Sequence, residues 1–139
     1  MTKMKSSLMT IILVINILAD NNSTKDEHEE VVRGLMEAFN AHDTETLMHL
    51  VTDDVKWLYI IHSDSLSIET SGRVETEHAF IDYFKSVPSI RSEIEDLIVS
   101  GNYVAVRERV FWEKDGELLS KSSFSVYQIR DNKVSNVWY

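Results

Sequence analysis

The stretch that decides the fold is F-N-A-H-D-T-E-T-L-M-H-L-V-T-D-D-V-K-W, Phe39 to Trp57. It opens on the tail of one apolar period and closes on the first residues of another kind. Asp43 stands before Leu47, Met48, Leu50 and Val51, a short helical spacing, and its carboxylate can accept from the free N–H groups of a new first turn. That role explains Asp43 better than a catalytic dyad with His42. After Asp53 and Asp54 the period changes to two: Val55, Trp57, Tyr59 and Ile61 share one strand face, and Lys56, Leu58, Ile60 and His62 the other.

Upstream, Val31, Val32, Leu35, Met36 and Phe39 form one helical stripe opposite Glu29, Glu30, Arg33 and Glu37, so a helix is predicted from Glu27 to Asn40. Downstream, Ser63, Asp64 and Ser65 turn the strand into a hairpin whose second arm carries Leu66, Ile68 and Thr70. Gly72 closes the hairpin. Ala79, Phe80, Tyr83, Phe84 and Val87 give a third helix, with Thr76 as its expected cap and Pro88 as its stop. From Ile90 to Tyr139 the sequence reads as strands joined by tight turns at Gly101-Asn102, Asp115-Gly116 and Asp131-Asn132. Helices followed by an antiparallel meander define an α+β domain with one sheet face packed on the helices.

The chain starts differently. Lys3 and Lys5 precede an apolar run from Leu8 to Ala19, and Asp20, Asn21, Asn22 and Ser23 then switch the composition to polar. Residues 1–19 are therefore expected to be a secretory signal peptide, shorter than a membrane span, with an uncleaved anchor or a buried helix as the competing reading, and residues 20–26 an unstructured polar tether. This implies an exported protein, periplasmic or extracellular, with no membrane attachment once the leader is removed. The folded domain is expected over residues 27–139.

Composition narrows the function. The 139 residues suffice for one domain, and 27% charged with 43% hydrophobic residues is ordinary globular usage. A net charge of −9 and the lack of a basic stripe argue against a nucleic-acid partner. There is no cysteine, hence no disulfide, thiol nucleophile or thiolate site. His28, His42, His49, His62 and His78 have no metal-ligand spacing, so neither a metal nor a cofactor is read.

The ordered set at Phe39 to Trp57, together with I-R-D-N-K-V at Ile129 to Val134, resembles the nuclear transport factor 2-like superfamily, specifically its SnoaL-like and ketosteroid-isomerase-like branch. The resemblance spans residues 27–139 and places the end of the sequence within the family's last strand. It implies a cone: a curved antiparallel sheet wrapped by three helices around one pocket for a small, often apolar molecule. Asn132 stands where the family usually has glycine, a tolerable change because Asn also enters positive φ. In ketosteroid isomerases, the tyrosine donor falls on Leu35, the aspartate base on Tyr59 and the protonated aspartic acid on Ser125. All three roles are lost, because leucine cannot donate, tyrosine is a poor base and serine is a weaker acid.

Strand alternation supplies pocket candidates independently. Val104, Val106, Glu108, Val110 and Trp112 share one face, which makes Glu108 an inward carboxylate; Tyr103, Ala105, Arg107, Arg109 and Phe111 share the other. Glu108 is either a general acid or base in a dry pocket, or a structural carboxylate paired with a cation or wetted at the rim. Trp57, Tyr59, Trp112 and Tyr127 are candidates for an aromatic pocket wall, with Ser123 and Ser125 as its hydroxyls; core packing is the competing reading of the aromatics. Three functions follow. The domain binds a small apolar or aromatic molecule; it is an enzyme using Glu108 as general acid or base for a cyclisation, isomerisation or dehydration; or it is an interaction module that forms a homodimer through the outer face of the sheet.

Overall fold

The computed structural model describes the backbone of residues 4–61 and 65–139, with side chains from residue 22 onward. The side chains of the expected leader, and the hairpin turn at residues 62–64, lie outside the described residues. Helix α1 runs Met4–Asn40 without a break, so the polar segment 20–26 is helical rather than an unstructured tether. The reason is local. No Gly or Pro interrupts the chain until Gly34, and pairs four apart stitch the surface: Ser23 Oγ donates to Glu27 at 3.2 Å and Arg33 to Glu29 at 2.8 Å. Extending an existing helix adds a hydrogen bond per residue without a new nucleation cost. Val32, Leu35 and Met36 are buried on the predicted stripe, and Val31 and Phe39 pack partly buried against the same core.

Helix α2, Thr44–His49, begins as expected at Asp43, which accepts from Thr46 N at 3.0 Å and from Thr46 Oγ1 at 2.6 Å. His42 makes no dyad with it: its Nε2 lies 3.0 Å from the Ile90 carbonyl and its ring stacks on Phe84 at 4.3 Å. Val51, grouped above with the helical period, instead opens strand β1, Val51–Ile61, because Val134 N reaches across to the Leu50 carbonyl at 2.8 Å and Val51 pairs with Val134.

Strand β2, Ser65–Ser71, returns antiparallel to β1. Helix α3, Arg73–Ser86, starts at Gly72, whose φ of 89° is open to glycine, and stops at Val87 before Pro88. Thr76 is therefore not the cap; it is buried in the first turn, its hydroxyl 2.9 Å from that of Thr70. Then come β3 (Arg91–Ser100), β4 (Tyr103–Lys114), β5 (Glu117–Arg130) and β6 (Lys133–Trp138), the predicted meander. Asp131 and Asn132 both have positive φ, 53° and 54°, so Asn does fill the position where glycine was expected.

The six strands form one open sheet ordered β2-β1-β6-β5-β4-β3. All neighbours are antiparallel except β1 and β6, which run parallel. The helices pack on one face, over a core that includes Val32, Leu47, Val55, Val104, Val106 and Val137. One register step matters for the site: pairing moves from Trp57↔Thr70 to Leu58↔Ile68, so Glu69 is an extra residue in β2, a bulge. Beyond it the inward face ends. Tyr59 and Ile61 are exposed, and on the second arm of the hairpin Leu66 and Ile68 are each 57% exposed while Thr70 is buried.

Candidate functional site

A cavity of about 580 Å³ lies between the helices and the inner sheet face. Its roof comes from the α1 stripe, with Leu35, Met36 and Phe39, and from α3, with Ala79, Phe80 and Tyr83. These spacings of three and four follow from the 3.6-residue repeat, which turns one line of each helix inward. Trp57 stands edge-on to Phe80, centroids 5.2 Å apart at 86°, and Phe39 meets Phe80 edge-on at 6.2 Å. Such contacts hold the walls apart in fixed geometry.

The floor is built by the strands. Glu108 sits on β4 between β3 and β5, 9% exposed, and each carboxylate oxygen receives a hydroxyl: Ser92 donates to Oε2 and Ser125 to Oε1, both at 2.6 Å. Hydroxyl-to-carboxyl hydrogen bonds have this length. No Lys, Arg or His forms an ion pair with Glu108 among the described residues. Tyr127 lies beside it, and burial first, then the charge of Glu108, push its phenol above the ordinary tyrosine range, against a lowering contact from Ser125. Tyr83 is raised likewise by burial and by the charges of Glu69 and Glu108. Both phenols are therefore neutral donors, suited to a carbonyl or hydroxyl, and Glu108 is the acceptor or base.

Of the predicted site residues, Glu108, Trp57, Ser123, Ser125 and Tyr127 come together on the cavity wall. Tyr59 and Trp112 do not. Tyr59 lies past the end of the inward face, 48% exposed, its ring 5.4 Å from that of Tyr139. Trp112 keeps its inward side but lies four residues along β4 from Glu108, roughly 13 Å, and packs against the core instead. The steroid-isomerase positions are equally unsuited: Leu35 is apolar wall, Ser125 is committed to Glu108, and Tyr59 is outside. Sequence reading missed Phe39, Phe80, Tyr83, Ser92, Glu69 and Tyr139 as lining residues. The α3 aromatics were legible only as core, and Glu69 enters through the bulge, which breaks the alternation that would have located it. Tyr139 hydrogen-bonds Glu69 at the cavity edge. Among the described residues no group of three or more metal-ligating side chains converges.

The SnoaL-like domain family matches residues 32–137. The chain belongs to that family. Solved structures of similar fold include an uncharacterised protein, described as having a cystatin fold, from Novosphingobium aromaticivorans, 26% identical, with a TM-score of 0.68 over 80% of this chain and 95% of the other. Bal32a, from a soil-derived mobile gene cassette, is 21% identical with a TM-score of 0.70, over 82% and 88%. A candidate SnoaL-like polyketide cyclase from Jannaschia sp. CCS1 is 16% identical with a TM-score of 0.69, over 83% and 85%. No curated protein sequence matches the chain. Within this SnoaL-like domain the signature acids are scaffold: Asp43 caps α2, Asp53 pairs with Arg73 at 2.8 Å, and Asp54 pairs with Arg130.

Proposed function

We propose that this SnoaL-like domain binds a small, largely apolar or aromatic molecule in its cone, with one polar group of the ligand set against Glu108 and Tyr127. The observation that carries the reading is the 580 Å³ cavity, apolar and aromatic along its walls and polar where Glu108 meets Ser92 and Ser125. Ligand sites have this composition, a mostly apolar concavity with a few placed polar groups. The test is titration with a neutral fluorescent probe, N-phenyl-1-naphthylamine, against the wild type and Ala79→Trp. Ala79 is exposed at the edge of the cavity, so the substitution fills space without disturbing the core. Probe emission should rise with the wild type and stay at the buffer level with the variant, at unchanged melting temperature. Equal binding by both proteins would sink the reading.

A second reading is favoured by one observation: Glu108 is the buried carboxylate of the described residues and has no cation partner. A carboxylate in that state can move a proton on a bound molecule, in a cyclisation, isomerisation or dehydration. Turnover that disappears in Glu108→Gln while affinity for the same compound persists would establish it.

Export and self-association belong to the same proposal. Lys3, Lys5 and the apolar run Leu8–Ala19 support a leader, and the mature protein then begins near Asp20. Intact mass of the exported protein decides this, a retained Met1 to Ala19 being the contrary result. The outer sheet face carries Tyr103, 46% exposed, and Phe124, 72% exposed, which suits a homodimer contact.

A further inference from the structure

The charge of the cavity is one-sided. Among the described residues its lining includes Glu69, Asp82 and Glu108, and no Lys, Arg or His. Six rings share the same wall: Phe39, Trp57, Phe80, Tyr83, Tyr127 and Tyr139. We infer that the ligand of this cone is an organic cation, a protonated or quaternary amine on an apolar or aromatic body, with its charge directed to Glu108. This rests on the binding reading above and names the ligand class for it.

Three arguments converge. First, Glu108 is desolvated and its two serine partners are neutral, so the carboxylate lacks a counter-charge that a bound ammonium group would supply. A charge in that position is weakly screened, and a cation brought beside it gains far more than one at the surface. Second, aromatic faces attract cations through their quadrupole, more so in a dry site, and Trp is the strongest of them. Third, Glu69 and Asp82 lie at the exposed edge of the lining, giving negative potential at both entrance and floor. The raised phenols of Tyr83 and Tyr127 register the same field, since nearby carboxylates contribute to both. Among the described residues an anionic ligand meets three carboxylates and no cation, which makes carboxylates and phosphates poor occupants. A neutral ligand leaves the charge of Glu108 uncompensated.

The experiment uses three indoles of matched shape: tryptamine, a cation at neutral pH; tryptophol, neutral; and indole-3-propionate, an anion. Calorimetric titration of the full chain at pH 7 should rank them in that order, with tryptamine about tenfold tighter than tryptophol, the factor of one moderate charge contact. Glu108→Gln should remove that advantage and barely change tryptophol. If Glu108→Gln does not fold, Glu69→Gln combined with Asp82→Asn, both at exposed positions, should reduce the tryptamine advantage severalfold. Tryptophol or indole-3-propionate binding as tightly as tryptamine would overturn the cation assignment and leave small-molecule binding standing. An advantage for tryptamine that survives the variants would overturn it too, since the charge contact would then lie elsewhere. Binding of none of the three would overturn the cation assignment, while the binding reading is decided separately by the N-phenyl-1-naphthylamine titration.

Discussion

Ser125 on β5 and Ser92 on β3 hold Glu108 of the intervening strand between them, each hydroxyl 2.6 Å from one carboxylate oxygen. The arrangement satisfies the oxygens without neutralising the charge. Glu108→Gln keeps the shape and removes the charge, and either serine can rotate to accept from the new amide N–H. The ligand-free variant should therefore be more stable than the wild type by about 1 kcal/mol at neutral pH, because burying an uncompensated charge is unfavourable. Ser125→Ala does the opposite. It leaves a buried oxygen with one donor fewer and should cost about 1–3 kcal/mol. Urea denaturation of both variants and of the pair checks this, and the double variant should lose less on Ser125→Ala than the wild type does. A lower stability for Glu108→Gln would mean that the charge is compensated by something other than the two serines.

How much of this was legible beforehand depends on which rule each residue obeys. The helical stripe at Val32, Leu35 and Met36, the Asp43 cap and the alternation Val104, Val106, Glu108 each follow from a short-range period that tertiary packing leaves untouched. Glu108 was therefore placed inward from its neighbours alone. Glu69 was not, because a bulge is a choice made between two strands and leaves no mark in one of them. Tyr59 shows the same limit from the other strand: the pairing shifts between Trp57 and Leu58, and beyond that step Leu58 is buried while Tyr59 is 48% exposed, which an unbroken alternation does not foresee. The helix through residues 20–26 escaped for another reason, that Asp, Asn, Ser and Thr read as loop formers even when an adjacent long helix can extend through them.

The purified protein should not isomerise Δ5-3-ketosteroids above the buffer rate. That chemistry needs a donor pair and a base around one carbonyl, and the corresponding positions hold an apolar wall residue, Leu35, a hydroxyl already given to Glu108, Ser125, and an uncovered ring, Tyr59. An absorbance assay for the conjugated product is enough. Turnover that persists in Tyr59→Phe would show that the cavity supplies acid and base from other residues.

On the outer face, Phe124 stands in register with Arg107, which together with Arg109 is paired to Glu95, while Arg91 covers Phe111 at 4.1 Å. Those contacts occupy the charges and leave the ring of Phe124 uncovered. Burying one such ring contributes about 1.5–3 kcal/mol, enough to shift a weak self-association by one to two orders of magnitude. Size-exclusion chromatography across a dilution series should show a dimer for the wild type and a monomer for Phe124→Glu. Binding in the cavity should be the same for both, since Phe124 points away from it. A wild type that remains monomeric at high concentration rules out this contact.

Asp43 offers a prediction in pH. Its side chain accepts from Thr46 Oγ1 and from the Thr46 backbone N–H, and these two bonds, in that order, hold its carboxyl below the ordinary value of 3.8. A carboxyl lowered in the folded state stabilises the fold at pH above its unfolded value, and that contribution is lost as pH falls through the folded value. Asp43→Ala should thus melt below the wild type by a constant margin at all pH above 3.8. The margin should shrink on further acidification, as the wild type protonates and loses the same cap. Asp43→Asn separates charge from geometry: asparagine caps helices without ionising, so its difference from Asp43→Ala should be flat across the same range. Thermal melts of the three proteins on a series from neutral pH to below that value decide the matter. If the Asp43→Ala margin does not change on acidification, the carboxylate's charge adds nothing to the cap, and the α2 start is held by the Asp43 backbone and its neighbours instead.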